Sequence, residues 1–380
     1  MFRTITALAL GAILLAGLTA CGPSVRTAQF HADENPASLS AWQIFDVSSG
    51  QLELSDRVVP YDLNTPLFTD YAHKLRTVWV PPGKPPADLN IGGAPALPVG
   101  TVISKTFYYP RESVDGDAVL KRADPSGQLN PILADLSRVN LIETRLLVRR
   151  DAGWEAVSYV WNAAQTDAVL TKIGDVQPLT LVGQGGERQD FTYIVPDVNQ
   201  CAGCHAPNNT SREIQPLGLR ARHINKSYDY AGAELNQISH LTALDYLSAD
   251  ISGADIPANR DWTDESLTID ARARSYLDTN CAHCHNPVGP ADTSGLDLTM
   301  DAAPGPALGI CKLPIAAGSG TGGRTFSIVP GEPDASILLY RLETTKPGAM
   351  MPELGRSLQH EEGVALIRQW IAAMDGNCAS

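Results

Sequence analysis

The chain has 380 residues, a formal net charge of −13 and 43 % hydrophobic residues. That length accommodates two or three domains, each with its own core. The acid excess argues against nucleic acid or anionic lipid as a partner and suits a soluble surface or a basic redox partner.

The chain opens on a targeting signal. Arg3 supplies a short positive region, and Ile5 to Leu18 form an apolar run with small residues interspersed. The run is too short for a comfortable transmembrane helix, which needs about 20 apolar residues. It ends in Leu18-Thr19-Ala20-Cys21, which resembles a bacterial lipobox. Residues 1–20 therefore read as a lipoprotein signal peptide, and Cys21 as the lipidated first residue of the exported protein. Gly22 rather than Asp after Cys21 favours the outer membrane, facing the periplasm of a Gram-negative bacterium. An ordinary cleaved signal with an incidental Cys is the alternative. Residues 21–40 are small and polar and read as a tether.

From 41 to 195 the signal is mostly β. Thr101 to Tyr109 is rich in β-branched and aromatic residues, and Leu141 to Arg150 and Trp154 to Trp161 are two further strands. Asp151-Ala152-Gly153 between them predicts a hairpin. Phe191 to Val195 is another short strand, and the Pro81 to Pro86 stretch is a loop. His73 stands alone and reads as a surface or packed His rather than a ligand.

The segment 196–262 contains Cys201-Ala202-Gly203-Cys204-His205, and 263–380 contains Cys281-Ala282-His283-Cys284-His285. Both are C-x-x-C-H, the signature of covalent c-type haem attachment. Two thiols add across the two vinyl groups of one porphyrin, so they must lie close along one turn of chain. The His that follows then serves the iron as axial ligand. Two haem c groups are expected. A four-thiolate zinc site is the competing reading, but export favours haem, which is attached outside the cytoplasm. A thioredoxin-like motif is weaker still, because neither pair sits in a βαβ pattern. Helices are expected over Leu235 to Leu247, over Leu267 to Asp278 with Asp264 as N-cap, and over His360 to Met374 before Gly376. The expected fold is multidomain: a β-rich, sandwich-like N-terminal domain over 41–195, then two mainly α, cytochrome c-like haem domains.

The chain has seven Cys. Cys21 takes lipid and four take haem, so Cys311 and Cys378 remain. Parity in an oxidising compartment points to a disulfide between them.

Methionine is scarce, and this separates the two motifs. Met350-Met351-Pro352 lies about 65 residues after His285, on a loop that the proline stiffens. Met351 is the expected distal ligand of the second iron, with Met350 as competitor. Met300 lies too near the motif, and Met374 belongs to a helix face. No Met lies between His205 and Met300. For the first iron, His240 on a predicted helix is preferred over His223 in a basic segment, and an open iron is the third reading. His283, inside the second motif, is expected to be exposed. Thioether ligation raises a haem potential relative to two His ligands, so the second haem should have the higher potential.

Several stretches carry a family resemblance. Asp278 to Pro287, Leu308-Gly-Ile-Cys-Lys312, Ile328 to Asp334 and Met351-Pro-Glu-Leu-Gly-Arg356 resemble a family of bacterial dihaem c-type cytochrome lipoproteins with a β-rich N-terminal region. Pro60 to Phe68 and Lys105 to Pro110 look similar to that N-terminal region. The resemblance spans nearly the whole mature chain and implies haem binding and electron transfer, with no established substrate.

The leading functional reading is a lipid-anchored dihaem electron carrier serving an unidentified redox protein. A rival is a peroxidase-like dihaem oxidoreductase with an open first iron, for which Glu213, Glu234 and His223 are acid–base candidates. A third reading makes the β domain a binding module with an exposed aromatic cleft among Tyr61, Trp79, Trp154 and Trp161.

Overall fold

The computed structural model describes residues 26–114, 117–122, 134–183, 185–248 and 256–378. The expected signal peptide over 1–20, the expected lipidation site Cys21 and the first residues of the expected tether lie outside the described residues.

The fold is organised by a nine-stranded sheet around the 13-residue strand Val102–Val114. Its first part pairs antiparallel with His73–Trp79 on one side and Val139–Arg150 on the other, and its last part with Asp117–Lys121. A register shift between Phe107 and Tyr108 marks the change, as a bulge that bends and twists a strand does. Val139–Arg150 continues into Gly153–Trp161, with Arg150 opposite Gly153 across the expected turn. Asp175–Val182 and Arg188–Val195 extend the other end of the sheet.

Strand residues alternate between the two faces. Asp175–Val182 and Arg188–Val195 keep one face exposed, whereas over the central strands both faces are buried. On one, Val102, Val148, Tyr159 and Trp161 pack with Leu39, Trp42 and Phe45 of the leading segment. On the other, Val78, Ile103 and Leu147 pack with Leu219, Ile224, Ile238 and Leu241.

The described residues contain six α-helices: α1 Val198–His205, α2 Ala221–Ile224, α3 Gln237–Ala243, α4 Ile269–Asn280, α5 Ile337–Glu343 and α6 Glu361–Ala372. Helices α4, α5 and α6 enclose a third apolar cluster that includes Leu277, Leu339, Ile367 and Trp370. Cys311 and Cys378 are joined by a disulfide across 67 residues, with Cα atoms 5.2 Å apart.

This architecture overturns the expected fold class. There are no two mainly α cytochrome c-like domains: strand exceeds helix, 28 % against 21 %, and the sheet curls into a half-barrel instead of forming a sandwich. The physical reason lies in 196–262. Helices α2 and α3 have 4 and 7 residues, too few to enclose a core, so their apolar side chains are buried on the second face of the sheet.

Candidate functional site

Helix α1 presents the first motif. Asp197 caps it, accepting from the Asn199 and Gln200 amides, while the Gln200 side chain accepts from the Asp197 amide. This reciprocal cap starts the helix one turn before Cys201. Cys201 and Cys204 are free thiols. His205 ends the helix with Nδ1 2.9 Å from the Gln215 carbonyl oxygen. A carbonyl only accepts, so Nδ1 carries the proton and Nε2 keeps its lone pair. Burial, reinforced by the nearby Lys105 ammonium, holds His205 down at about 3, so the ring is neutral at pH 7.

Cys201, Cys204 and His205 face a cleft of about 1490 Å³, open solvent included. One wall is the sheet, which contributes Lys74, Arg76, Lys105 and Arg145; Arg220, His223, Asp278 and His283 stand elsewhere around it. The cationic wall was missed in the sequence. Its signal was present as charged residues inside strand-like runs, Lys105 alone within Thr101 to Tyr109 and Arg145 with Glu143, Arg149 and Arg150 within Leu141 to Arg150. Burial and the adjacent Arg145 and Arg76 push Lys105 down to about 7.

The second motif follows α4 directly. The His285 amide donates to the Cys281 carbonyl at 2.9 Å, closing the turn that gathers the motif. His285 Nδ1 lies 3.1 Å from Ser294 Oγ, and that hydroxyl donates to the Ala291 carbonyl at 2.7 Å. Ser294 therefore accepts from His285, and Nε2 again keeps its lone pair. Burial and then Arg341 lower His285 to about 4.

Cys281, Cys284 and His285 line a second cleft of about 1500 Å³, open solvent included, together with Met351. The Met351 amide donates to the Arg341 carbonyl at 2.8 Å. The Arg356 guanidinium donates to the carbonyls of Leu358, Arg341 and Thr344, which fixes the loop that carries Met351. Met350 does not line the cleft. Met300 lies beside Ser275, and Met374 packs on the third core cluster.

The two motifs adjoin. Cys284 Sγ lies 3.4 Å from the Gly203 carbonyl oxygen, inside the first motif. The Asn209 amide donates to the Val288 carbonyl at 2.7 Å. Cys204, His283, Pro352 and Leu354 line both clefts. A Cβ on Gly203 would meet Leu354 Cδ1 at 3.1 Å, so glycine permits this close approach. The expectation of an exposed His283 is corrected: it is 8 % exposed and forms part of the shared wall.

His240 does not line the first cleft; it is stacked on Tyr230 with ring centroids 3.8 Å apart. His223 does line it, which reverses the preference drawn from the sequence. Asn259 Nδ2 lies 3.3 Å from His223 Nδ1 and 2.8 Å from Asp278 Oδ2, and His223 Nε2 is 3.9 Å from the same carboxylate oxygen. Burial lowers His223 to about 4. The other acid–base candidates, Glu213 and Glu234, are exposed. Of the four aromatic residues, Tyr61, Trp79 and Trp161 are buried, which leaves no exposed aromatic row among them.

No group of three or more His, Cys, Asp or Glu among the described residues is placed to hold a metal ion. Cys204 and Cys284 are neighbours across the two motifs, but the four thiols do not gather around one point, so a four-thiolate zinc centre does not fit them. Each cleft instead combines two thiols with one imidazole, the donor set that covalent haem attachment uses. No family model, no curated protein and no solved structure matches the chain.

Proposed function

We propose that this protein is an exported, lipid-anchored c-type cytochrome that binds two haems covalently and transfers electrons between redox partners. The observation that carries this reading is the repeated arrangement of two free thiols and a His whose Nδ1 is held by a hydrogen-bond acceptor. Cys201, Cys204 and His205 would hold one haem, and Cys281, Cys284, His285 and Met351 the other. When bound, each haem supplies a one-electron iron couple. The protein's own part is orientation and exclusion of water. The Gln215 carbonyl and Ser294 hydroxyl fix the two imidazoles, as outer partners of metal-bound His do. Arg356 and Arg341 hold the Met351 loop, and His283, Pro352 and Leu354 line both clefts. The disulfide fits an oxidising compartment, and the net charge of −13 suits a basic redox partner.

A second reading is an oxidoreductase centred on the first cleft. It is favoured by the placement there of His223 beside Asp278, with Arg220 on the same cleft and no Met among its lining residues. Carbon monoxide decides between the two. Two low-spin haems that bind none fit the carrier, whereas a high-spin first haem that binds carbon monoxide fits the oxidoreductase. A redox titration of the carrier should give two midpoint potentials, the higher one lost in Met351→Ala. Two identical potentials would count against this assignment.

A further inference from the structure

Three adjacent strands bring three cations into one row. Arg76 lies directly opposite Lys105, and Lys105 directly opposite Arg145. All three line the first cleft. Like charges directly opposite one another destabilise a sheet, and enclosure from water makes each unpaired charge more costly. The outer two have carboxylate partners. Asp62 Oδ1 is 3.1 Å from Arg76. Glu143 holds Arg145 in a two-pronged contact of 2.8 and 2.5 Å, and also accepts from Tyr193.

The middle cation is different. Among the described residues Lys105 has no hydrogen-bond acceptor and no carboxylate of its own; its ammonium lies 5.2 Å from the centre of the Phe107 ring. Arg220, on the same cleft, has a buried Nε without a hydrogen-bond partner. In a chain of net charge −13, Lys105 and Arg220 thus bring basic groups without a hydrogen-bonded carboxylate to one cleft, on whose lining Asp278 is the acidic residue. Burying a charge is tolerated when a partner of opposite sign completes it.

We propose that Lys105, flanked by Arg76 and Arg145, is the seat of an oxyanion in the first cleft, beside Cys204 and His205. The ligand is a carboxylate or a small inorganic oxyanion held by charge-assisted hydrogen bonds. It has two sources: a propionate of the haem itself, which rests on the haem reading above, or a free anion that enters the cleft.

The test uses the full chain matured with haem, as wild type and as Lys105→Met, with inorganic phosphate as the free-anion probe. Covalent haem per chain is counted first, and this alone judges the haem reading. Midpoint potentials are then measured with and without phosphate. If a propionate is the ligand, Lys105→Met lowers one potential and leaves the other, with or without phosphate. If a free anion is the ligand, phosphate shifts one potential of the wild type saturably, and Lys105→Met weakens that response about tenfold or more. Potentials and phosphate response both unchanged in Lys105→Met overturn the proposal. If the wild type carries no haem, the same comparison is made on melting temperature: a rise with phosphate that Lys105→Met lacks supports the seat, and no rise overturns it. Should Lys105→Met not fold, Lys105→Gln is measured in the same way.

Discussion

At the residue scale the site depends on which atom of each side chain is already engaged. His205 and His285 spend Nδ1 on the protein, while His240 is occupied by Tyr230 outside the cleft. His240→Ala should therefore leave the absorption spectra of both haems unchanged, whereas Met351→Ala should open the second haem to carbon monoxide. The reverse pattern would refute the assignment. The Glu143–Arg145 pair has Glu143 fully buried and Arg145 facing the cleft. Glu143→Ala strands Arg145 next to Lys105 and should cost about 3–5 kcal/mol of stability in denaturant unfolding. That each Cys-Cys-His set lines one cleft was legible because its residues are contiguous along the chain. The cationic row was not, since opposition of Arg76, Lys105 and Arg145 exists only once strand register is known.

At the element scale, capping chemistry decided where the expected helices lie. The run from Leu235 to Leu247 has helical spacing, yet its start is the strand Ala233–Asn236, paired with Ser227–Tyr230. Asn236 then accepts from the Ile238 and Ser239 amides and starts the shorter α3. Before α4, Asp264 spends its carboxylate on Ser266, and Thr268 is the cap. The turn Asp70–Tyr71 has φ of 44° and 60° at two successive non-glycine residues, a conformation that surrounding contacts must enforce. Those contacts are the Ser357 and Leu358 amides on the Asp70 carboxylate, with bonds from 2.7 to 3.0 Å. They anchor the end of the Met351 loop to the sheet. Burial raises Asp70 from 3.8 to about 6, against the lowering effect of those amides. The folded state therefore binds its proton more tightly than the unfolded state. Its contribution to stability is full below about pH 4 and is lost as pH rises through about 6. Denaturant midpoints should show this fall in the wild type and lose it in Asp70→Asn; identical pH profiles would contradict the role given to Asp70.

At the scale of the whole molecule, the β region is a wall of the first cleft. Phe68 donates its amide to Asn280, next to Cys281, and Asp62 exchanges hydrogen bonds with Gln237. Residues 196–262 share their core with the sheet, so that segment expressed alone should show no cooperative unfolding. The division into a β domain and helical haem domains looked natural because each stretch has its own local pattern. What the sequence did not display is that both faces of the sheet's central strands are buried, and by which segments. The Cys311–Cys378 bridge closes 67 residues, and its loss through Cys311→Ser with Cys378→Ser should lower stability by about 4 kcal/mol if it acts on the unfolded chain. The central claim, two covalently held haems in adjoining clefts, is tested most directly by counting covalent haem on the exported protein. Two haems per chain are predicted, falling to one with Cys201→Ala/Cys204→Ala and to one with Cys281→Ala/Cys284→Ala. No covalent haem on folded wild-type protein, or a count that neither pair changes, would contradict it.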